Sequence, residues 1–370
     1  MPRIEVVGGR YGTGKSRRIV QRMIDERWMR DSAVMVYTNE AAKVIQQRIE
    51  EEPIMPSVGT VYSLSWPYVK AFTDDGKKAH RIRSADWQRR RLTSAFDESL
   101  DHYERTAPSR LPKHHADDLA TKLHAWDGTG QPPIDLSTPG EGQLKYIIPI
   151  ARWLASGEEV RGKYRRAMVD EAQDMSALEL AAVRALVEET VTCYGDPGQA
   201  IFAESKGIGV VPPAWRIADH AEELDQSWRV GYPAAELAER VFSYIGRRDG
   251  KVTAAAHVTE VRVWEPESAP PPRGLVLGYS RAVVARAFRE WGLRDTGVTP
   301  RTANPDKELV VCTIHAAKGA EADEVYLLPP TRQFIKKFQH RDPMAVRLAY
   351  VALTRARRMV GIPYALKVRV

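Results

Sequence analysis

Apolar residues fall into short, nearly uninterrupted runs, separated by longer segments in which they recur at helical spacing. The runs at residues 4–7, 33–37, 167–170 and 191–194 each border a turn bearing Gly, Asn or Asp, whereas 17–30, 39–51 and 176–187 carry the helical pattern. Strands that are apolar on both faces and alternate with helices predict a parallel sheet covered on both sides. A second set follows, with strands at 260–264, 274–277, 309–313 and 325–328 and helices at 233–245, 281–291 and 344–355. Between 66 and 141 the alternation stops, and a polar, Pro- and Gly-punctuated segment predicts a small helical insertion in the first domain. Pro270, Pro271 and Pro272 read as a stiff connector within the second domain. No short fixed period repeats, which argues against a solenoid.

Composition narrows the class. The 370 residues are 43% apolar and 28% charged, an ordinary globular balance with length for roughly two to three domains. No run approaches the ~20 apolar residues of a membrane span, and the N-terminus lacks a secretory pattern. Cys193 and Cys312 lie inside apolar runs and read as core thiols in a reducing cytoplasm rather than as a disulfide. The net charge of +7 is weak support for a polyanionic partner. Residues 77–91 carry seven Lys/Arg, one acid and Trp87, and fit a solvated helix face as well as a nucleic-acid track.

Candidate chemistry begins at Gly9-Arg10-Tyr11-Gly12-Thr13-Gly14-Lys15-Ser16, which fits G-x-x-x-x-G-K-[ST]. Gly9, Gly12 and Gly14 let several backbone N–H groups face one anion; Lys15 would contact the β- and γ-phosphates of a nucleotide, and the Ser16 hydroxyl would ligate Mg²⁺. An apolar run precedes the motif and a helix follows, as a phosphate loop requires. The second requirement is a carboxylate at another strand end, and Asp170-Glu171 follows the run at 167–169. Asp170 would hold the metal, and Glu171 would act on the attacking water as general base. An acidic helix cap is the plain alternative for that pair.

From Gly8 to Arg357, and in order, these and further motifs resemble the UvrD/Rep-like helicases of superfamily 1. D-E-A-Q-D at 170–174 is similar to the family's D-E-x-Q-D box, Y-T-N-E-A-A at 37–42 to T-N-x-A-A, and G-T-V-Y-S-L at 59–64 to G-T-x-H-S-x, with Tyr62 in place of His. G-D-P-G-Q-A-I-F at 195–202 resembles G-D-x-x-Q-S-I-Y, and Q-S-W-R at 226–229 resembles Q-N-Y-R. T-I-H-A-A-K-G-A-E at 313–321 and L-A-Y-V-A-L-T-R-A at 348–356 match two further signatures.

The resemblance implies an α/β fold of two RecA-like domains. The first comprises 1–65 plus 142–203, with 66–141 as its insertion; the second comprises 204–370, without the family's large insertion between 277 and 313. It implies ATP and Mg²⁺ as cofactors. Gln199 would sense the γ-phosphate, which Arg229 and Arg355 would reach from the second domain while Lys15 contacts it from the first. Trp228 would stack on the adenine with Arg17 flanking it, Glu321 would contact the ribose, and Gly319 would lie beside the nucleotide. Thr38, Asn39, Thr60, Tyr62, Phe202, Thr313 and His315 would contact single-stranded DNA. Taken singly, either arginine reads as a surface salt bridge, Trp228 as core, and Thr38, Thr60 and His315 as caps or turn residues.

Phosphoryl transfer is mostly positioning and charge stabilisation, and an arginine in this role is worth about 10³–10⁵ in rate. Hydrolysis in a cleft whose walls both contribute such groups can drive a motor. The implied activity is an ATP-dependent DNA helicase or translocase, moving 3′-to-5′ on single strands and opening single-strand/duplex junctions. It would act as a monomer, with protein partners of replication or repair and no membrane. The alternatives are a translocase that does not unwind alone and an ATP-switched binding module. The sequence departs from the family at Glu204, where a tryptophan is usual, and in lacking a glutamine-bearing segment before the first strand. It departs again at 332–341, whose interleaved basic and aromatic residues fit a single-strand groove and an amphipathic helix equally.

Overall fold

The computed structural model describes residues 1–73, 113–133, 144–160, 163–203, 206, 208–244, 252–266, 270–293, 300 and 303–367. The basic stretch at 77–91 and Glu204 lie outside the described residues. Two compact units form. The first gathers Met1–Val7, Ser16–Gly195 and Phe202–Glu222; the second gathers Gly8–Lys15, Asp196–Ile201 and Glu223–Val370.

The first unit is built on β1 (Arg3–Gly9), β2 (Ser32–Val36), β3 (Ser57–Thr60), β4 (Tyr164–Val169), β5 (Val187–Gly195) and β6 (His220–Leu224), ordered β3-β2-β4-β5-β1-β6. The β2–β3, β2–β4 and β4–β5 pairings are parallel. β2 is buried along its whole length, as its unbroken apolar run requires. Its helices are α1 (Lys15–Asp25), α2 (Asn39–Ile49), α3 (Val61–Val69), α4 (Lys113–Ala125), α5 (Leu144–Ser156), α6 (Ala177–Leu186) and the short α7 (Pro213–Arg216). α4 is the described helix of the expected insertion; Leu119, Leu123 and Trp126 share one core with Trp153, Val169 and Leu178. β6 hydrogen-bonds into this sheet, and the first unit includes Phe202–Glu222.

The second unit holds β7 (Gln226–Pro233), α8 (Ala234–Ser243), β8 (Thr253–Val263), β9 (Gly274–Gly278), α9 (Arg281–Glu290), β10 (Leu309–Thr313), β11 (Ala322–Leu327), α10 (Arg332–Gln339), α11 (Pro343–Leu353), β12 (Ala356–Ile362) and α12 (Tyr364–Lys367). Its sheet runs β10-β9-β11-β12-β8-β7, with every neighbouring pair parallel. The expected α/β architecture of two parallel sheets is therefore present.

Two elements differ from the pattern-based reading. The first helix stops at Asp25, not near residue 30, because Arg27 adopts φ +48° and turns Trp28 inward, where it is 1% exposed. β8 begins seven residues before the expected start at 260, since residues 253–259 pair with β7. Cys193 and Cys312 are buried thiols on β5 and β10, each pushed by burial up to about 12. Among the described residues no helix is long and apolar enough to cross a membrane.

Candidate active site

Site residues of the first unit sit where parallel strands end, the place at which open α/β sheets bind ligands. β4 ends at Val169 and delivers Asp170, whose backbone N–H is held by the Met35 carbonyl at 2.9 Å. The Ser16 hydroxyl donates to Asp170 Oδ2 at 2.8 Å. Asp170 Oδ1 accepts from the Glu171 N–H at 3.0 Å, and Gln173 Nε2 donates to the Glu171 carboxylate. Glu171 adopts the left-handed conformation at φ +55°. That conformation costs a non-glycine residue about 1–3 kcal/mol and is characteristic of functional positions. Arg17 is exposed on the first turn of α1.

A hydroxyl and a carboxylate are hard oxygen donors, the ligands Mg²⁺ prefers alongside water and phosphate. Among the described residues no cluster of three or more acidic, His or Cys ligands occurs.

The second unit carries the phosphate loop and the arginines. Gly9 closes β1, and Gly12 and Gly14 have φ of +64° and +78°. A Cβ on Gly12 would lie 2.4 Å from Arg229 Cβ, so that position tolerates only glycine. Lys15 Nζ donates to the carbonyls of Gly9 and Arg10, the latter at 2.9 Å. The Trp228 N–H donates to the Gly12 carbonyl at 2.8 Å, while its side chain is 73% exposed; it is no core residue. Arg229 pairs with Glu321, which Arg357 also approaches at 3.5 Å. Gly319, at φ +83°, precedes Glu321 by two residues.

Arg355 is 2% exposed and donates through Nη2 to Gln199 Oε1 at 2.7 Å. The Gln199 carbonyl accepts from Lys318 Nζ at 2.7 Å, and its Nε2 donates to Asp196 Oδ2 at 2.8 Å. The Tyr350 hydroxyl donates to the same oxygen at 2.9 Å. Burial, with Asp196 adding to it, drives the Tyr350 phenol well above its ordinary range, so Tyr350 stays a donor.

Within the first unit, Asn39, Thr60, Tyr62 and Phe202 line one cavity of about 540 Å³ that Asp170 and Glu171 also border. Thr38 caps α2 by accepting from the Ala41 N–H, and Thr60 caps α3 by accepting from the Ser63 N–H, both at 3.1 Å. Both are helix caps, as their residue type suggests, and each sets a helix N-terminus at a strand end, where N–H groups can receive phosphate. Tyr62 meets the Tyr146 ring edge-on at 5.3 Å. Thr313 and His315 belong to the second unit, where Thr313 Oγ1 accepts from the Ala316 N–H at 3.3 Å. Burial lowers the His315 pKa, partly opposed by a backbone hydrogen bond with Ile201.

Tyr37, Asp196, Lys318 and Tyr350 join these sets without having been singled out from sequence. Tyr37 stacks on Phe202 with centroids 5.6 Å apart at 18°, and its place directly before T-N was the available signal. The basic-aromatic segment at 332–341 resolves the other way. It forms α10, with Phe334 and Phe338 buried at 9% and 2%. Aromatics four residues apart share one helical face, and here that face is core, so these rings offer no stacking surface.

Residues 68–204 match the family model described as UvrD/REP helicase N-terminal domain, and 308–362 match the UvrD-like helicase C-terminal domain. No curated protein matches the chain. Among solved structures, a PRRSV helicase is 16% identical with a TM-score of 0.47, over 98% of this chain and 52% of that one. Arterivirus nonstructural protein 10 (helicase) is 16% identical with a TM-score of 0.46, over 97% and 59%. A complex of arterivirus nonstructural protein 10 with DNA is 17% identical with a TM-score of 0.45, over 97% and 60%. The chain thus spans between half and three-fifths of the solved structures it resembles.

Proposed function

Because the chain belongs to the UvrD/REP-like helicases, we propose that it hydrolyses ATP and couples the reaction to movement along single-stranded DNA, 3′-to-5′, opening junctions with duplex. One observation carries this reading: Ser16 bonded to Asp170, beside a left-handed Glu171 whose carboxylate Gln173 holds. Glu171 would orient the attacking water and take its proton. Lys15, Arg229 and Arg355 would stabilise charge gathering on the γ-phosphoryl oxygens, and Gln199 would report that charge to Arg355. Ser16 and Asp170 would hold a magnesium ion, which when bound neutralises charge on the phosphate oxygens. The exposed Trp228 face would stack on the base, with Arg17 at its side and Glu321 on the sugar once released from Arg229. The protein would act as a monomer in the cytoplasm, on single strands and their junctions with duplex, alongside proteins of replication or repair.

The test is the rate of ATP hydrolysis with and without single-stranded DNA or RNA, paired with unwinding of 3′- and 5′-tailed duplexes. Stimulation by DNA and opening of the 3′-tailed fork are expected; hydrolysis indifferent to either strand would refute the motor. The second reading keeps translocation without unwinding. It is favoured by the short path from β9 to β10, which holds α9 but no large insertion. Robust fork opening by the lone chain excludes it.

A further inference from the structure

Beneath the Tyr37–Phe202 ring pair lies a charged cluster, its lysine buried and its glutamate half-buried, with no place in the chemistry above. Lys206 is 9% exposed, and its ammonium contacts both Glu179 oxygens at 2.7 and 2.9 Å. It also donates to the Asp174 carbonyl at 3.0 Å and sits 4.8 Å from the centre of the Tyr37 ring. Glu179 accepts from the Ser176 N–H at 2.8 Å, and Ser176 Oγ lies 2.8 Å from His124 Nδ1.

One ammonium therefore touches three structures at once: the ring under Phe202, the last residue of the acidic box that begins at Asp170, and the first turn of α6. A buried charge is tolerated only when paired and hydrogen-bonded, so the Lys206 ammonium and the oxygens that receive it are held together as one set of contacts. Burial opposes both charges, yet their mutual attraction prevails. Glu179 is held down at about 2, and Lys206 is raised above its ordinary value. Both shifts favour the charged forms, so the pair is ionised at neutral pH.

We propose that Lys206, braced by Glu179, is a positioning residue that couples occupancy of the Tyr37–Phe202 pair by a nucleobase to the Asp170–Asp174 segment. This rests on the DNA-stimulated hydrolysis proposed above. A base stacking on Phe202 bears on Tyr37, and through the Tyr37 face on the ammonium that holds the Asp174 carbonyl. Coupling carried by such a contiguous buried network is worth roughly three- to thirtyfold.

The experiment compares the wild type with Lys206→Met/Glu179→Gln, which removes both charges together and leaves neither buried alone, and with Lys206→Arg. Hydrolysis is measured without DNA and across a titration of single-stranded oligothymidylate, and folding is checked by thermal melting. The double variant should keep basal turnover and the KM for ATP within about twofold, while maximal stimulation falls roughly three- to thirtyfold. Lys206→Arg should restore most of that stimulation. A stimulation ratio equal to the wild type's in a folded double variant overturns the coupling, as does an equal loss of basal and stimulated rates. If the double variant does not fold, Tyr37→Leu, which removes the ring between Phe202 and the ammonium, decides by the same ratio, and maximal stimulation equal to the wild type's at saturating oligothymidylate overturns the coupling. Wild-type hydrolysis that ignores oligothymidylate overturns the functional reading itself, and this inference with it.

Discussion

The buried Arg355 guanidinium donates to Gln199 Oε1 at 2.7 Å, so the residue expected to sense the γ-phosphate and the arginine expected to stabilise it already share a hydrogen bond. Both belong to one compact unit. Arg355 also donates to the Val351 carbonyl at 3.1 Å, which fixes its fork at the end of α11.

Arg355→Ala should therefore lower kcat by about 10³–10⁵ while shifting the KM for ATP less than about tenfold. Arg355→Lys should recover little, because a point charge cannot bond Gln199 and the carbonyls together. Steady-state hydrolysis in saturating single-stranded DNA provides the check.

Gly12→Ala puts a methyl group 2.4 Å from Arg229 Cβ at a backbone φ of +64°. The loop must open, and binding of a fluorescent ATP analogue should fall by at least about tenfold, at roughly 1.4 kcal/mol of local strain or more. Lys15→Ala should abolish turnover outright. DNA-dependent hydrolysis surviving in Lys15→Ala would remove the phosphate-loop assignment.

The Tyr37–Phe202 stack predicts that Phe202→Ala weakens oligothymidylate binding by about 1–3 kcal/mol, the worth of one base–aromatic contact. Basal hydrolysis should be little affected. Fluorescence anisotropy with a labelled strand measures the loss; unchanged affinity would place the strand elsewhere.

Acid should destabilise the first unit in two steps. Burial pushes His124 down to about 4 from its ordinary 6.5, so the unfolded chain takes up a proton that the folded protein refuses. Stability then falls as pH drops from about 6.5 to about 4, by roughly 3 kcal/mol at most. For Glu179 the folded pKa is depressed to about 2 from 4.5. Its contribution is complete above about pH 4.5 and is lost as pH falls toward 2. Thermal melting between about pH 7 and 4.5 should show the first loss, and His124→Gln should flatten it. An unchanged slope in His124→Gln would contradict a neutral buried imidazole.

Much of the architecture is readable from local pattern. β2 is mostly one apolar run and β4 ends at Val169, directly before Asp170, so strand, turn and carboxylate could be placed from local pattern alone. The phosphate loop is similarly local, since its glycines and Ser16 lie within eight residues. Less readable were features that depend on distant partners. Helix periodicity continued past Asp25, yet burial of Trp28 stopped the helix through a left-handed Arg27. The interleaved aromatics of 332–341 looked like a stacking surface until Phe334 and Phe338 were packed inward.

By itself the sequence determined that two parallel α/β sheets form and which short motifs end their strands, because apolar runs, turns and phosphate-loop glycines act over a few residues. Only the tertiary structure decided that Gly8–Lys15 and Asp196–Ile201 pack with the arginine-bearing unit, that Tyr37 is the ring beside Phe202, and that Lys206 lies buried between Glu179 and Asp174. These are meetings of residues far apart along the chain. Their existence depends on shape and charge complementarity between separate elements, which no local pattern encodes.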